Sequence, residues 1–195
     1  MKNLIIIPIA LFAFLFISCS KDEVQKTQTI NLQIDGYDEG GSSTFVETTT
    51  VGEEIAITLG PVNNTFKISN IQFLFGGTGT NPVTRDVILK IYKDNGTVNP
   101  DNLLFSGNYT ITASNTLIQE IDVRDENITL NGGGSIRIAF ELVDDMGLPS
   151  FAQEFDGTYF ETKNWIKESN GTWNSNDVFG LNGNWVIRAT VEENI

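Results

Sequence analysis

The chain has 195 residues, with 25 acidic against 12 basic and no histidine, a formal net charge of −13 at pH 7. Without histidine, neither a Ser-His-Asp nor a Cys-His nucleophile system can be assembled, and the usual histidine-bearing zinc sites are excluded as well. The acidic balance makes nucleic acid and anionic lipid poor partners, because binding to either depends on a basic face.

Lys2 opens the chain, and an apolar run of 14 residues extends from Leu4 to Ile17. A membrane-spanning helix needs about 20 apolar residues, so this run has the length of a signal-peptide core and predicts removal of residues 1–18. Its end, "LFISC", resembles the bacterial lipobox, in which cleavage precedes a lipid-modified cysteine. That resemblance implies that Cys19 becomes the N-terminus and carries an acyl anchor in outer-membrane lipid. As the only cysteine it offers no intramolecular disulfide, so an exported domain must be held by its core. Ser20, Lys21, Asp22 and Glu23 then resemble the lysine-plus-acid export signal of surface-exposed lipoproteins of Bacteroidetes-type bacteria. They imply an outer-membrane protein displayed on the cell exterior. Residues 19–28 read as a polar tether, and residues 29–195 as a single domain. Signal removal leaves 177 residues, 11 basic against 25 acidic, a net of −14. A chain of that length buries about 70 per cent of its unfolded surface, enough for a core without metals.

Beyond the tether, period-two alternation recurs. "TINLQID" (29–35) puts Ile30, Leu32 and Ile34 on one face, and "EEIAITLG" (53–60) does the same with Ile55, Ile57 and Leu59. "FKISNIQFLF" (66–75) changes phase at Asn70, as a β-bulge would require. Further strands are predicted at 86–93, 104–112, 117–123, 135–143 and 184–192. Glycine- and asparagine-rich clusters separate them, with Asn-Gly at 95–96, 131–132, 170–171 and 182–183. No apolar period of 3.6 residues appears after Cys19. The pattern predicts an all-β, two-sheet antiparallel sandwich of jelly-roll-like topology.

Three stretches offer chemistry. The loop "DNGTVNPD" (94–101) supplies Asp94, Asn99 and Asp101, hard oxygens of the kind calcium takes, although the EF-hand spacing is absent. Asp144 and Asp145 could share such a cation with it; alternatively these side chains cap their own backbone. The segment 141–156 also holds Glu154 and Asp156, and a pair of opposed carboxylates is what a glycosidase needs. Surface acids at a turn are the plainer reading. Trp165 and Trp185 fall in strand-like runs and are expected in the core. Trp173 is expected near a loop tip beside Asn174, Asn176 and Asp177, where a ring and fixed polar groups would suit a sugar; alternatively the ring folds back as a lid on the edge of the core.

"IQFLFGG" and "VILKIYKDNGTVNPDNLLFSG", followed by "WIKESNGTW" and "GLNGNWVIRATV", resemble the sandwich modules of secreted Bacteroidetes adhesin-type proteins, themselves likened to galactose-binding-like domains. Tyr92, Asp94, Gly96 and Pro100 carry the first part of the likeness, and Trp185, Ile187, Arg188 and Ala189 the second. The resemblance implies a non-catalytic binding or adhesion module that contacts glycan or a partner protein. A carboxylate-based glycosidase or polysaccharide lyase, or a structural subunit of an envelope complex, are the alternatives.

Overall fold

The structure, a computed structural model, describes residues 26–46, 50–77, 83–144 and 147–195. The signal segment, Cys19, the Ser20–Glu23 stretch and Asp145 lie outside the described residues. Chain order begins with β1 (Thr27–Leu32), β2 (Thr44–Phe45), β3 (Glu54–Val62), β4 (Phe66–Phe73), β5 (Phe75–Gly76), β6 (Thr84–Asp94), β7 (Leu103–Thr112) and β8 (Gln119–Asp122). It continues with β9 (Thr129–Leu130), β10 (Gly134–Leu142), β11 (Ser150–Glu154), β12 (Asn164–Lys167), β13 (Trp173–Ser175), β14 (Asn184–Trp185) and β15 (Ile187–Asn194).

These strands make the expected all-β sandwich. One large sheet has the order β1-β15-β4-β8, with β9 also on β4, the other β13-β12-β3-β10-β6-β7, and a small third sheet, β14-β11-β2 with β5 also on β11, adds to the expected two. Every pairing is antiparallel. The chain crosses between the sheets from β3 to β4, β5 to β6, β7 to β8 and β9 to β10. Such repeated crossing gives the jelly-roll-like wrap. At Leu74 and Val186 the neighbours β4 and β15 keep one bond, Leu74 N–H to Val186 O, and β11 enters in place of the other: Ala152 N–H donates to Leu74 O and Val186 N–H to Ala152 O.

The alternation read from the sequence explains the core. Ile55, Ile57 and Leu59 of β3 face inward with Ile136, Ile138 and Phe140 of β10, against Ile68, Ile71 and Phe73 of β4. The rings of Phe140 and Phe151 stack at 4.5 Å, and Phe73 meets Phe140 at 4.9 Å. The phase change near Asn70 is a bulge. Thr190 pairs with Asn70 but Val191 with Ile68, so Ser69 is the extra residue, and its hydroxyl donates to Thr190 O. Without that residue Phe66 and Ile68 would turn outward.

Candidate functional site

The outer face of the six-stranded sheet carries a second, smaller core. Small Ala56 and Ala139 leave room above the sheet, and Trp165 and Trp173 fill it, with Tyr92 packed alongside. Between the indoles lies Arg137, fully buried, its guanidinium carbon 4.2 Å from the Trp165 ring centroid and 4.9 Å from that of Trp173. Its Nε donates to Asp94 at 2.8 Å, while Nη1 and Nη2 donate to the carbonyls of Val98 and Thr97 at 2.7 and 2.8 Å. The guanidinium fork thus binds one carboxylate and two loop carbonyls together, a geometry lysine cannot reproduce.

Beside this sandwich sits Glu54, also fully buried. Its Oε1 accepts from Lys90 and from Lys167, each at 2.7 Å, and its Oε2 from the Tyr92 hydroxyl at 2.9 Å. Register places Glu141 directly opposite Glu54, and Lys90 pairs with both carboxylates, removing the repulsion that like charges would have there. Burial opposes the charge on Lys90, but the bonds and charges of Glu141 and Glu54 outweigh it and hold the ammonium above its usual 10.5. Burial, reinforced by Glu54, pushes the Tyr92 phenol well above 10.0. Both groups bind their protons more tightly in the folded chain than in the unfolded one. Their contribution is therefore complete below the unfolded values and is lost as pH rises through the folded ones. The melting temperature is expected to fall as pH rises past about 10. In Glu54→Gln the fall should be shallower, and an unchanged pH slope in that variant would refute the coupling.

The described calcium candidates are each held by groups of the chain itself. Asp94 is buried, with Oδ2 accepting from Arg137 and the Thr58 hydroxyl and Oδ1 from the Gly96 N–H. Asn99 offers its carbonyl to the Thr97 hydroxyl, and Asp101 accepts from Asn95 at 2.6 Å. Asp144 pairs with Arg85 at 2.7 Å. A cation shared by the two loops is ruled out by register. Asp94 lies opposite Ser135 at one end of β10, whereas Asp144 follows Leu142 at the other. Nine residues of strand separate those ends by roughly 25 Å at about 3.3 Å per residue, and calcium ligands lie at about 2.3–2.6 Å. Of the acids in the 141–156 segment, Asp156 is exposed and Glu154 is engaged structurally. Glu154 is buried and accepts from the backbone N–H groups of Gly36 and Gly157 at 3.1 and 2.5 Å.

Of the two readings of Trp173, the structure corrects the loop-tip one and has the ring folded onto a core. The residue stands in β13, opposite Lys167, and is only 7 % exposed, so its ring is part of the Arg137 sandwich and no loop-tip platform. Asn174 donates to Glu168 at 2.6 Å. Asn176 is fully buried and accepts from the Trp185 indole at 3.1 Å. Asp177 is exposed and accepts from the Ser175 hydroxyl. The sequence hid other rings that are accessible: Phe155, Phe160 and Phe179, at 44, 42 and 43 % exposure.

The residues that carried the adhesin-type likeness are structural too. Tyr92 and Asp94 belong to the network above, and Arg188 grips Asp35 through Nε at 3.1 and 3.0 Å, donating also to the Tyr37 carbonyl.

A different surface stands open. β7 ends the six-stranded sheet, and across the mouth of the sandwich β8 ends the other. Between them runs a groove of about 440 Å³ lined by Phe73, Tyr109, Ile111, Gln119 and Ile121. Asp86, Glu120 and Asp122 border this groove and the neighbouring depressions. Glu126 acts on Tyr109 electrostatically, adding to the burial that raises that phenol. Against these four acids stands Arg124, bound to Asp122, whose carboxyl it holds down to about 2. The sequence shows β7 as a strand, but nothing local in it says that the strand is an edge. Compared with known proteins, the chain matches no family model, no curated protein and no solved structure.

Proposed function

We propose that this is a non-catalytic lipoprotein of the outer membrane, displayed on the cell exterior, whose β-sandwich binds a partner protein through the β7 side. The observation that carries this reading is the edge position of the ten-residue strand β7, with no strand on its far side among the described residues, beside the groove. An edge strand presents a row of unpaired backbone donors and acceptors, and such rows are used for association or else are blunted. The address rests on the apolar leader and the "LFISC" and "SKDE" stretches. The binding reading is supported by how the most suggestive polar groups are used: Asp94, Glu54 and Glu154 are all tied into packing. A glycan reading now rests on Phe155, Phe160 and Phe179, three half-exposed rings close in sequence to Asp156 and Asp177, in place of Trp173.

Two experiments test this. Labelled palmitate should enter the wild type and be lost from Cys19→Ala, and equal labelling would refute the anchor. A photo-crosslinking residue placed at Asn108 on β7 should form an adduct with another polypeptide in intact cells, whereas one at Asn31 on β1 should not. No adduct from Asn108 would overturn the assignment of the β7 side.

A further inference from the structure

We infer that the occupant of the β7 edge is an extended segment of a partner protein, alternating apolar and basic side chains, that adds to the six-stranded sheet as a seventh strand beyond β7. The inference rests on the β7-side reading above and names the chemistry of what binds there.

Length and composition of the edge come first. β7 runs over 10 residues, against 6 for β1, 4 for β8 and 3 for β13 among the described residues that end the two sheets. Its sequence, LLFSGNYTIT, contains no charge and no proline. Lysines, prolines and short length are the usual devices against unwanted pairing, and a flat uncharged strand without them is an aggregation hazard unless covered. The only irregularity is a register shift at its start, between Ile91 and Tyr92 of β6. From Leu89 to Thr84 the strand pairs regularly, and among the described residues no strand lies on its far rim, where Gln119 Nε2 donates to Thr112 O at 3.2 Å and the stretch before Thr112 can accept a further strand.

Side chains then select the occupant. Along β7, Tyr109 and Ile111 turn toward the groove, Thr110 and Thr112 lie at its lip, and Ser106 and Asn108 are exposed. The Phe105 and Tyr109 rings close over Gly107, where an added Cβ would lie 2.6 Å from Phe105 Cζ, so this stretch of the edge is backbone roofed by rings. An added strand would send alternate side chains into the groove against Tyr109, Ile111 and Ile121, which calls for apolar residues there. Its outward side chains would lie beside Asp86, which already accepts from the Thr110 hydroxyl, and its groove-side ones would reach the far lip where β8 carries Glu120 and Asp122, the latter bound to Arg124. Lysine or arginine is complementary at those positions, and opposite charge steers association as well as fixing register. A second copy of this chain would bring its own net −13 to the same rim, which disfavours self-pairing. Main-chain bonds would supply affinity and the alternating side chains specificity, as in other strand-addition complexes.

The test uses the full chain purified in detergent and a fluorescein-labelled ten-residue peptide of alternating valine and lysine. Three further peptides serve as comparisons: alternating valine and glutamate, the same valines and lysines segregated into two blocks, and the first peptide N-methylated at every second residue. The alternating valine–lysine peptide is expected to bind about tenfold or more tightly than each of the other three, since only it combines charge, alternation and free N–H groups. The double variant Thr110→Lys, Glu120→Lys changes two exposed residues, each with one exposed side-chain hydrogen bond, and should weaken the peptide by a similar factor while the melting temperature moves by only a few degrees. Equal binding of the N-methylated and parent peptides would overturn strand addition, and equal binding of the glutamate peptide would overturn the basic partner. An Asn108 adduct in cells with no binding by any peptide would leave the β7 reading standing and remove the basic strand. An adduct of twice the chain's own mass would assign the edge to a second copy and overturn the inference.

Discussion

Arg137→Ala is expected to lower the melting temperature by about 6–20 °C. Removing one member of a buried ion pair costs about 3–5 kcal/mol, because the other charge stays in place without its counter-ion. Each kcal/mol shifts the transition by about 2–4 °C in a chain of this size. Here the stranded group is Asp94, itself buried, and Thr58 and Gly96 would be left to satisfy a full carboxylate. The carbonyls of Thr97 and Val98 would lose their donors in the same step, so the 94–102 loop should loosen along with the sheet. Arg137→Lys should recover part of the loss, since an ammonium can neutralise Asp94 but cannot span the two carbonyls and fill the gap between two indoles. Pairing Arg137→Met with Asp94→Leu removes both charges, and this double variant should be more stable than Arg137→Ala alone. Calorimetry on the three variants checks the order. A shift under about 2 °C for Arg137→Ala would mean that water reaches Asp94 and that the sandwich is no clamp.

The long strands were legible because each is amphipathic in its own right. Ile55-Ala-Ile57-Thr-Leu59 announces both a strand and its buried face, and the slip at Asn70 gave away the bulge at Ser69. β11 gave no such sign. All five of its residues are buried, Gln153 and Glu154 included, so the stretch has no alternation and reads as an acidic turn. A strand wedged between two parted neighbours is buried on both faces, and period-two logic has nothing to detect there. The candidate site failed for a related reason. Asp94 was singled out as a loop oxygen donor, but the residue that claims it, Arg137, lies 43 positions further on. Only the register of β10 against β6, which sets Arg137 opposite Tyr92, brings the pair together. Trp173 was misplaced because the polar run after it looks like a loop. In fact Asn176 is polar yet fully buried, spent on the indole of Trp185, and β13 is too short to show a period.

Trp173→Ala is expected to cost about 3–5 kcal/mol, the range for truncating a buried aromatic. At about 2–4 °C per kcal/mol that is a fall of roughly 6–20 °C. The ring contributes more than its own burial. It covers one face of the Arg137 guanidinium and meets Tyr92 edge-on at 5.9 Å, so removing it admits water to the most charged part of the protein's interior. Cation–π contacts are worth about 2 kcal/mol when desolvated and well under 1 when exposed, and the remaining contact with Trp165 would weaken as water enters. Trp173→Phe keeps a ring over the guanidinium and should lose much less. Val178→Ala, at a side chain 63 % exposed, should lose almost nothing and serves as the control. Because Trp173 and Arg137 act on one another, the double alanine variant should be less destabilised than the two single losses combined. Full additivity would mean that the two side chains stabilise the sheet independently. If Trp173→Ala melts like the wild type but loses binding to glycan arrays, the ring is a ligand platform after all, and the buried sandwich does not describe the protein in solution.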